Sequence, residues 1–203
     1  MARIALIGAS GNVGTRILNE LVSRNHQVTA IARDPSKIPA RAGVTAARGD
    51  VADPAGLADL LKGHDAVVSS LRFLDTDPQA LIGAVRASGV KRYLVVGGAG
   101  SLFVAPGKRL LDQPEFPAAY KDEATKGAEF LDVLRGVTDL DWTFISPSAL
   151  FVPGERTGKF RLAKDELLVS EKGSTISYED YAVALVDEIE KPAHVRARFT
   201  VGY

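Results

Sequence analysis

Short apolar runs alternate along the chain with segments whose apolar residues recur at helical spacing. The runs, which predict strands, lie at residues 2–7, 27–32, 44–47, 65–70, 92–96, 142–145 and 199–201. The amphipathic segments, which predict helices, lie at residues 15–22, 54–61, 78–87, 118–134 and 178–189. Strands that alternate with helices predict a doubly wound α/β fold, in which helices cover both faces of a mainly parallel sheet.

The turn between the first predicted strand and the first predicted helix reads Gly8-Ala9-Ser10-Gly11-Asn12-Val13-Gly14. In this context the glycine spacing indicates the nucleotide-binding turn of a Rossmann-type sheet. Gly8 allows the sharp turn, Gly11 lets the backbone approach a pyrophosphate, and Gly14 lets the helix lie close to the strand. The start of the helix, with Ser10, Asn12 and Val13, would face the phosphates. The alternative is a turn that is rich in glycine only for packing.

The composition fits one compact domain over residues 1–203 and excludes several classes of protein. Lys and Arg total 25, as do Asp and Glu, so charge gives no reason to expect nucleic acid or an anionic membrane as partner. The absence of cysteine excludes disulfides, a thiol nucleophile and a thiolate metal site. With no signal-peptide pattern and no membrane-spanning run, we expect a cytoplasmic monomer or homodimer that acts on a small molecule.

The residues that follow the second predicted strand bear on the choice of cofactor. An NAD-preferring site usually places an acidic residue there to hold the ribose 2′-hydroxyl. Here the strand is followed by Arg33, and Lys37 adds a second positive charge nearby. Because a guanidinium pairs well with a 2′-phosphate, the sequence predicts a preference for NADP(H) over NAD(H). The alternative is that Arg33 only solvates the loop.

The ends of the next strands supply further candidates for cofactor contacts. Asp50 and Val51 follow the third predicted strand and would meet the adenine, although Asp50 could equally cap a turn. The small residues Ser69 and Ser70, with Leu71, follow the fourth strand and would pass beneath the ribose and the pyrophosphate.

A second glycine loop follows the fifth predicted strand. It contains Gly97, Gly98 and Gly100, and this density of glycine costs chain entropy. We therefore expect the loop to leave space for a ligand, most simply the nicotinamide ribose.

Together these motifs resemble those of the atypical short-chain dehydrogenase/reductases. The resemblance rests on residues 8–14, 33–35, 49–51, 95–101 and 146–147, and it extends over essentially the whole chain. The small NAD(P)H-binding, NAD-dependent epimerase/dehydratase-like proteins look most similar, and flavin reductase/biliverdin reductase B-like and NmrA-like proteins are their relatives. The resemblance implies a Rossmann-type NAD(P)H-binding domain in which Pro147 lies beside the cofactor.

The chain departs from the larger superfamily at its acid–base pair. Typical members carry Tyr-x-x-x-Lys on the helix after the fifth strand, and this spacing puts both side chains on one helix face. Here the position four residues after Tyr120 is Ala124, while Lys121 lies about 100° and Lys126 about 240° around the helix. We therefore do not assign the tyrosine–lysine pair to this chain. Tyr120 remains a candidate proton donor, and Ser101 is a second.

Two long stretches predicted to be irregular, about 101–117 and 151–165, follow strands that end at the expected cleft. Loops of this length are uncommon unless they are functional or disordered. Apolar residues in and next to these stretches favour a planar or apolar substrate, unless they only anchor the loops to the core. These residues are Leu102, Phe103, Phe116, Leu150 and Phe151. The three histidines lack metal-ligand spacing, so no metal is predicted.

Two classes of function fit these observations. The first is an NADPH-dependent reductase that transfers hydride to a planar acceptor such as a flavin, a quinone or a conjugated carbonyl. The second is a regulatory protein that senses NADP(H) and turns over slowly or not at all, as the resemblance to NmrA-like proteins implies. A nucleotide-sugar epimerase or dehydratase fits less well, because the chain is short for that group and lacks the acid–base pair.

Overall fold

Most of the strands join in one eight-stranded sheet, described by a computed structural model of residues 1–203. In chain order the strands are β1 (Arg3–Ile7), β2 (Gln27–Ala32), β3 (Val44–Arg48), β4 (Ala66–Ser69), β5 (Arg92–Val96), β6 (Phe103–Ala105), β7 (Lys108–Arg109), β8 (Asp141–Pro147), β9 (Leu150–Val152), β10 (Arg161–Ala163), β11 (Thr175–Ser177) and β12 (Ala197–Gly202). The order in the sheet is β10-β12-β8-β5-β4-β1-β2-β3. All neighbours are parallel except β10 and β12, which confirms the predicted sheet.

Five helices cover the two faces of the sheet. They are α1 (Asn12–Ser23), α2 (Pro54–Leu61), α3 (Pro78–Ser88), α4 (Lys121–Arg135) and α5 (Tyr178–Glu190). Buried residues of α1 and α5 belong to one apolar core, and those of α2, α3 and α4 belong to a second on the opposite face. Side chains cap three of the helices at residues that precede them, namely Asp53, Asp77 and Ser177. The predicted doubly wound α/β architecture is therefore confirmed.

The strand order reverses between β1 and β4. From β1 the chain first builds outward through β2 and β3, and it then returns to add β4, β5, β8 and β12 on the other side. In such sheets a crevice opens outside the carboxyl ends of the strands at this point, because the connections diverge to opposite faces. The fold thus places the ends of β1, β2, β4 and β5 around one crevice.

The connections between the main elements contain local structure that the sequence did not predict. Residues 103–117 and 151–164 are not irregular throughout, because β6 pairs with β7, β9 pairs with β11, and β10 adds to the sheet edge beside β12. These strands are too short to show periodicity and depend on distant partners. The predicted helix at 118–134 begins with a 3₁₀ turn at Ala118–Tyr120, and its α-helical part starts only at Lys121.

Candidate functional site

The structure explains in different ways why glycine occupies positions 8, 11 and 14 of the first turn. Gly8 has a φ of +81°, and a Cβ on it would lie 2.1 Å from the Ser70 carbonyl oxygen. A Cβ on Gly14 would lie 2.1 Å from the Gly8 carbonyl oxygen, so Gly14 is needed for the close packing of α1 on this turn. Gly11 has a φ of −74°, and its Cβ would meet only the Gly8 carbonyl oxygen, at 3.4 Å. Packing therefore explains Gly8 and Gly14, whereas Gly11 leaves space outside the chain.

The start of α1 presents free backbone donors beside Gly11. The first hydrogen bond of the helix runs from the Thr15 amide to the Gly11 carbonyl at 2.9 Å. The amides of Asn12, Val13 and Gly14 have no acceptor within the chain. Free amides and the positive end of the helix dipole attract an anion, and without a Cβ at Gly11 that anion can approach the backbone. These features fit the pyrophosphate of a dinucleotide.

A cavity of about 260 Å³ extends from this turn along the ends of the strands. It brings together eight of the predicted cofactor residues: Gly8, Ser10, Gly11, Arg33, Asp50, Val51, Ser70 and Leu71. Much of its wall is backbone, because strand ends and turns form it. Asp50 also has a structural task, since its carboxylate accepts a hydrogen bond from the Ala52 amide at 3.0 Å.

The end of β2 carries several positive side chains and no free acidic one. Arg33 lines the cavity, is exposed and forms no ion pair. The neighbouring Asp34 carboxylate accepts hydrogen bonds from the Ser36 hydroxyl at 2.6 Å and the Ser36 amide at 3.2 Å, and these bonds lower the pKa of the Asp34 carboxyl. Lys37 lies beside Asp34 with an N–O distance of 4.0 Å, outside the cavity wall.

Arg48 is a member of this basic group that the sequence analysis missed. It is the last residue of β3, and its Cα is the register partner of Ala32, the last residue of β2. It is close enough to Asp34 to act on that carboxyl electrostatically. Its position at the end of a strand next to β2 was the available signal.

The Ser69 side chain points into the second core instead of lining the groove. Its hydroxyl lies 2.9 Å from the hydroxyl of Tyr93 inside the second core, and only 3% of Ser69 is exposed. Side chains alternate along a strand, so Ser69 faces α3 and α4 while the chain turns toward the crevice only at Ser70. Burial also raises the pKa of Tyr93 above its usual range.

A second cavity of about 710 Å³ adjoins the first at Leu71, which lines both. The inner wall is formed by the ends of β5 and β8 and includes the predicted residues Gly97, Gly98, Ser101 and Pro147. The outer wall is largely apolar and includes Phe73, Leu110, Phe116, Tyr120, Leu150 and Phe151. We refer to the two spaces below as the dinucleotide groove and the apolar cavity.

The only charged side chains in the wall of the apolar cavity are Glu115 and Glu123. Glu115 is exposed and forms no ion pair or hydrogen bond through its side chain. Glu123 holds the loop that carries Phe73, because its two carboxylate oxygens accept hydrogen bonds from the amides of Phe73 at 2.7 Å and Leu74 at 3.0 Å. The wall therefore offers negative charge and no basic group.

Only one glycine of the second loop opens toward this cavity. A Cβ on Gly97 would lie 2.3 Å from the Phe144 ring, and a Cβ on Gly100 would lie 2.7 Å from the Ala124 Cβ. At Gly98 the nearest atom would be on Phe73, at 3.9 Å. The expectation that all these glycines leave room for a ligand is therefore corrected, because Gly97 and Gly100 are needed for internal packing.

Tyr120 has no basic partner. It is 66% exposed at the rim of the apolar cavity, and its hydroxyl forms no hydrogen bond. The ammonium of the adjacent Lys121 donates to the Leu111 carbonyl and lies 5.7 Å above the centre of the Phe116 ring. Ala124 occupies the position where the superfamily's lysine would stand. The arrangement thus lacks the usual tyrosine–lysine acid–base pair.

Ser101 is a polar group on the inner wall of the apolar cavity. It is 9% exposed, and its hydroxyl accepts a hydrogen bond from Nη1 of Arg198 at 3.1 Å. The sequence analysis missed Arg198, because the residue lies in β12, far along the chain, and no motif marks it.

The second predicted substrate loop, about 151–165, does not line the apolar cavity beyond Phe151. Arg156 pairs with the buried Glu20 of α1 at 2.7 Å, the Gly158 amide donates to Asp180 at 2.7 Å, and Arg161–Ala163 forms β10 at the sheet edge. These buried carboxylates pull the segment toward α1 and α5. In the first loop, about 101–117, Leu102 is fully buried and Phe103 lies outside the cavity wall.

The histidines lie apart and have other partners. His26 contacts Glu190 at 3.0 Å, His64 contacts the Thr29 hydroxyl at 2.7 Å, and His194 contacts Glu188 at 2.8 Å. No three metal-ligating side chains gather at any point of the structure. No helix is both long and apolar enough to pass through a bilayer.

Comparisons with known proteins agree with this geometry. The family model described as NAD(P)H-binding matches residues 8–192. The uncharacterized protein YwnB of Bacillus subtilis is 43% identical, over 98% of this chain and 97% of its own. A provisionally assigned epimerase of Bacteroides thetaiotaomicron has a TM-score of 0.95 and 42% identity, over 100% of this chain and 97% of its own.

A provisionally assigned NADH-flavin reductase of Streptococcus pneumoniae has a TM-score of 0.87 and 38% identity, over 100% of this chain and 99% of its own. The family match covers the glycine turn, both cavities and most of the remaining chain. The chain belongs to the NAD(P)H-binding family.

Proposed function

We propose that this protein is an NADPH-dependent reductase of an uncharged, planar acceptor such as an isoalloxazine or a quinone ring. When bound, a reduced nicotinamide would supply a hydride, which is one proton with two electrons, and water would supply the second proton of the reduced ring. The chain's own task is to hold the two rings against each other.

The observation that carries this proposal is the continuity of the two cavities at Leu71. A dinucleotide held with its pyrophosphate at Gly11 and the start of α1 would extend along the strand ends toward Gly98. The apolar cavity then offers room for a second ring beside the nicotinamide. A purely structural nucleotide site would not need an apolar space of about 710 Å³ next to it.

The preference for NADPH rests on the residues at the end of β2. The guanidinium of Arg33 is free to pair with a 2′-phosphate, and Lys37 and Arg48 add positive charge nearby. The Asp34 carboxylate lies outside the wall of the groove, and Ser36 holds its Oδ1 within the loop, so this group is not positioned for a ribose 2′-hydroxyl. The end of β2 therefore provides no acidic partner for the ribose 2′-hydroxyl of NADH.

The acceptor class follows from the wall of the apolar cavity. The rings of Phe73, Phe116 and Phe151 suit a flat apolar ring. Glu115 and Glu123 would repel a phosphate, and no basic side chain in the wall would attract one. We therefore favour riboflavin-like or quinone rings over phosphorylated flavins. The name of the relative from Streptococcus pneumoniae supports a flavin as acceptor.

The missing tyrosine–lysine pair is compatible with this chemistry. Reduced flavins and quinones take up their proton from water, whereas reduction of an isolated carbonyl needs a positioned proton donor. Exclusion of bulk water by the apolar wall would protect the transferred hydride during the reaction.

The test is a screen of NADPH oxidation under anaerobic conditions against riboflavin, FMN, quinones and aldehydes, with a control that lacks acceptor. We expect turnover with riboflavin or a quinone, and weaker turnover with FMN. The variant Glu115→Gln should narrow the difference between the turnover rates with FMN and with riboflavin. Glu129→Gln, a matched change on the outer side of α4, should leave this difference unchanged.

A regulatory sensor of NADP(H) is the second candidate, and the isolated position of Tyr120 favours it. Tight NADPH binding without turnover of any acceptor would support the sensor and contradict the reductase. Nucleotide-sugar epimerization remains the weakest alternative, since it too requires an acid–base pair. We expect a cytoplasmic protein that is a monomer or a homodimer.

A further inference from the structure

A buried arginine lies directly behind the apolar cavity. Arg198 stands on β12 and is 7% exposed. Its guanidinium is held by Asp165: Nε donates to one carboxylate oxygen at 2.7 Å, and Nη2 donates to the same oxygen. A buried charge is costly unless it is paired and hydrogen-bonded, and Asp165 meets that need.

The third nitrogen of this guanidinium, Nη1, sets the hydrogen-bonding role of the Ser101 hydroxyl. A serine hydroxyl can donate one hydrogen bond and accept two. Nη1 of Arg198 donates to Ser101 at 3.1 Å, and no group of the chain accepts the Ser101 proton. Because Ser101 lines the apolar cavity, this proton is left for a ligand there. The adjacent positive charge strengthens the hydroxyl as a donor.

We propose that Arg198 is a positioning residue that orients the Ser101 hydroxyl as a hydrogen-bond donor to a ring carbonyl oxygen of the acceptor. The inference rests on the proposed function. When the acceptor takes up a hydride, negative charge develops on that oxygen, and the Ser101 hydroxyl stabilises it without giving up its proton. The proton that completes the reduction comes from water.

A purely structural tie between the second glycine loop and β12 is the competing explanation. In that case the loss of Arg198 would loosen the loop whether or not Ser101 has a hydroxyl. If Arg198 instead acts through the hydroxyl, its effect should disappear once the hydroxyl is removed.

The first experiment measures binding without turnover. The probe is 2-methyl-1,4-naphthoquinone, bound in the presence of NADP⁺, and the readout is the infrared carbonyl stretch of the bound quinone. We expect the carbonyl stretching frequency of the quinone bound to the native protein to be lower than that of the unbound quinone. This lowering should be absent in Ser101→Ala and smaller in Arg198→Met. Arg86→Met, which removes an exposed arginine from its pair with Asp139, is the matched control and should behave as native.

The outcomes separate the two proposals. If the quinone binds with the same carbonyl frequency in the native protein and in Ser101→Ala, this inference is overturned and the proposed reductase stands. If the quinone does not bind at all, the proposed acceptor class fails and this inference falls with it.

The second experiment is a double-mutant cycle on kcat for the preferred acceptor. Ser101→Ala should lower kcat by about ten- to a hundredfold, with the affinity for NADPH unchanged. Arg198→Met should lower it by about tenfold, and Arg198→Lys, which keeps the charge, should recover part of the loss. The double variant should be no slower than Ser101→Ala. Losses that multiply, or a fall in melting temperature that accounts for the loss, would contradict the positioning role.

Discussion

The dinucleotide groove and the apolar cavity share Leu71 but are built on different principles. The groove is walled mostly by backbone, at turns whose glycines and free amides follow one another closely in the sequence. The apolar cavity is walled by side chains that come from residues 71 to 174, and the fold alone brings them together. The difference teaches that backbone forms the groove that fits a dinucleotide, while side chains set the apolar character of the space beside it.

The contrast also shows in the glycines. Within each site, packing within the protein requires some glycines, and one further glycine opens toward the ligand. Gly14 and Gly97 belong to the first kind, and Gly11 and Gly98 belong to the second. Substitution of a glycine of the first kind should lower the stability of the fold, whereas substitution of a glycine of the second kind should impair ligand binding.

The largest effect is expected at Gly14. In Gly14→Val the new Cβ would lie 2.1 Å from the Gly8 carbonyl oxygen, and neither backbone segment can yield. We expect a loss of about 4 kcal/mol or more in the free energy of unfolding. Gly11→Val should lose only about 1 kcal/mol, as a poorer helix cap, yet abolish NADPH binding.

Thermal unfolding and calorimetric titration with NADPH measure both quantities for Gly14→Val and Gly11→Val. A folded Gly11→Val protein that still binds NADPH with native affinity would exclude the pyrophosphate role of this turn.

The same contrast is expected in the apolar cavity. Gly97→Ala places a Cβ 2.3 Å from the buried Phe144 ring and should destabilise the protein by about 3 kcal/mol. Gly98→Val meets only open space next to Phe73, so the fold should persist while acceptor reduction is lost. Urea unfolding and steady-state rates with riboflavin or a quinone test this pair, and full activity in Gly98→Val would place the acceptor elsewhere.

A smaller effect is expected at Arg33, where a side chain rather than the backbone of the groove makes the contact. Arg33→Ala should weaken NADPH binding by about 1.5–3 kcal/mol and leave NADH binding nearly unchanged, because only the 2′-phosphate contact is lost. Lys37→Ala, outside the cavity wall, is the matched control and should have less effect. Calorimetry with both cofactors measures the preference, and equal binding of NADPH and NADH by the native protein would refute it.

The smallest effect is expected at Tyr120, on the rim of the apolar cavity. Tyr120→Phe should change kcat by less than about tenfold, far below the 10²–10⁴ that is typical of a general acid, because no lysine assists the exposed hydroxyl. Steady-state rates at fixed NADPH provide the measurement. A hundredfold loss with unchanged cofactor affinity would show that Tyr120 donates the proton and would favour carbonyl reduction.

The success of the sequence analysis differed between these two regions. The order of the main strands and helices and the turn at Gly8–Gly14 followed from local patterns, because each depends on neighbours within a few residues. The orientation of the Ser69 side chain did not follow from local patterns, because a shift of one residue at a strand end turns a side chain from the crevice into the core.

By itself the sequence determined a doubly wound sheet and a site for a nicotinamide dinucleotide. Apolar periodicity fixes which elements form, and glycine spacing fixes where a phosphate can approach the backbone. Only the tertiary structure decided that the 151–165 segment is anchored on α1 and α5 by Glu20 and Asp180, and that Arg198 stands behind Ser101. It also made Glu115 and Glu123 the only charged side chains in the wall of the apolar cavity. These arrangements join residues that are far apart along the chain. They depend on long-range packing, which leaves no periodic pattern in the sequence.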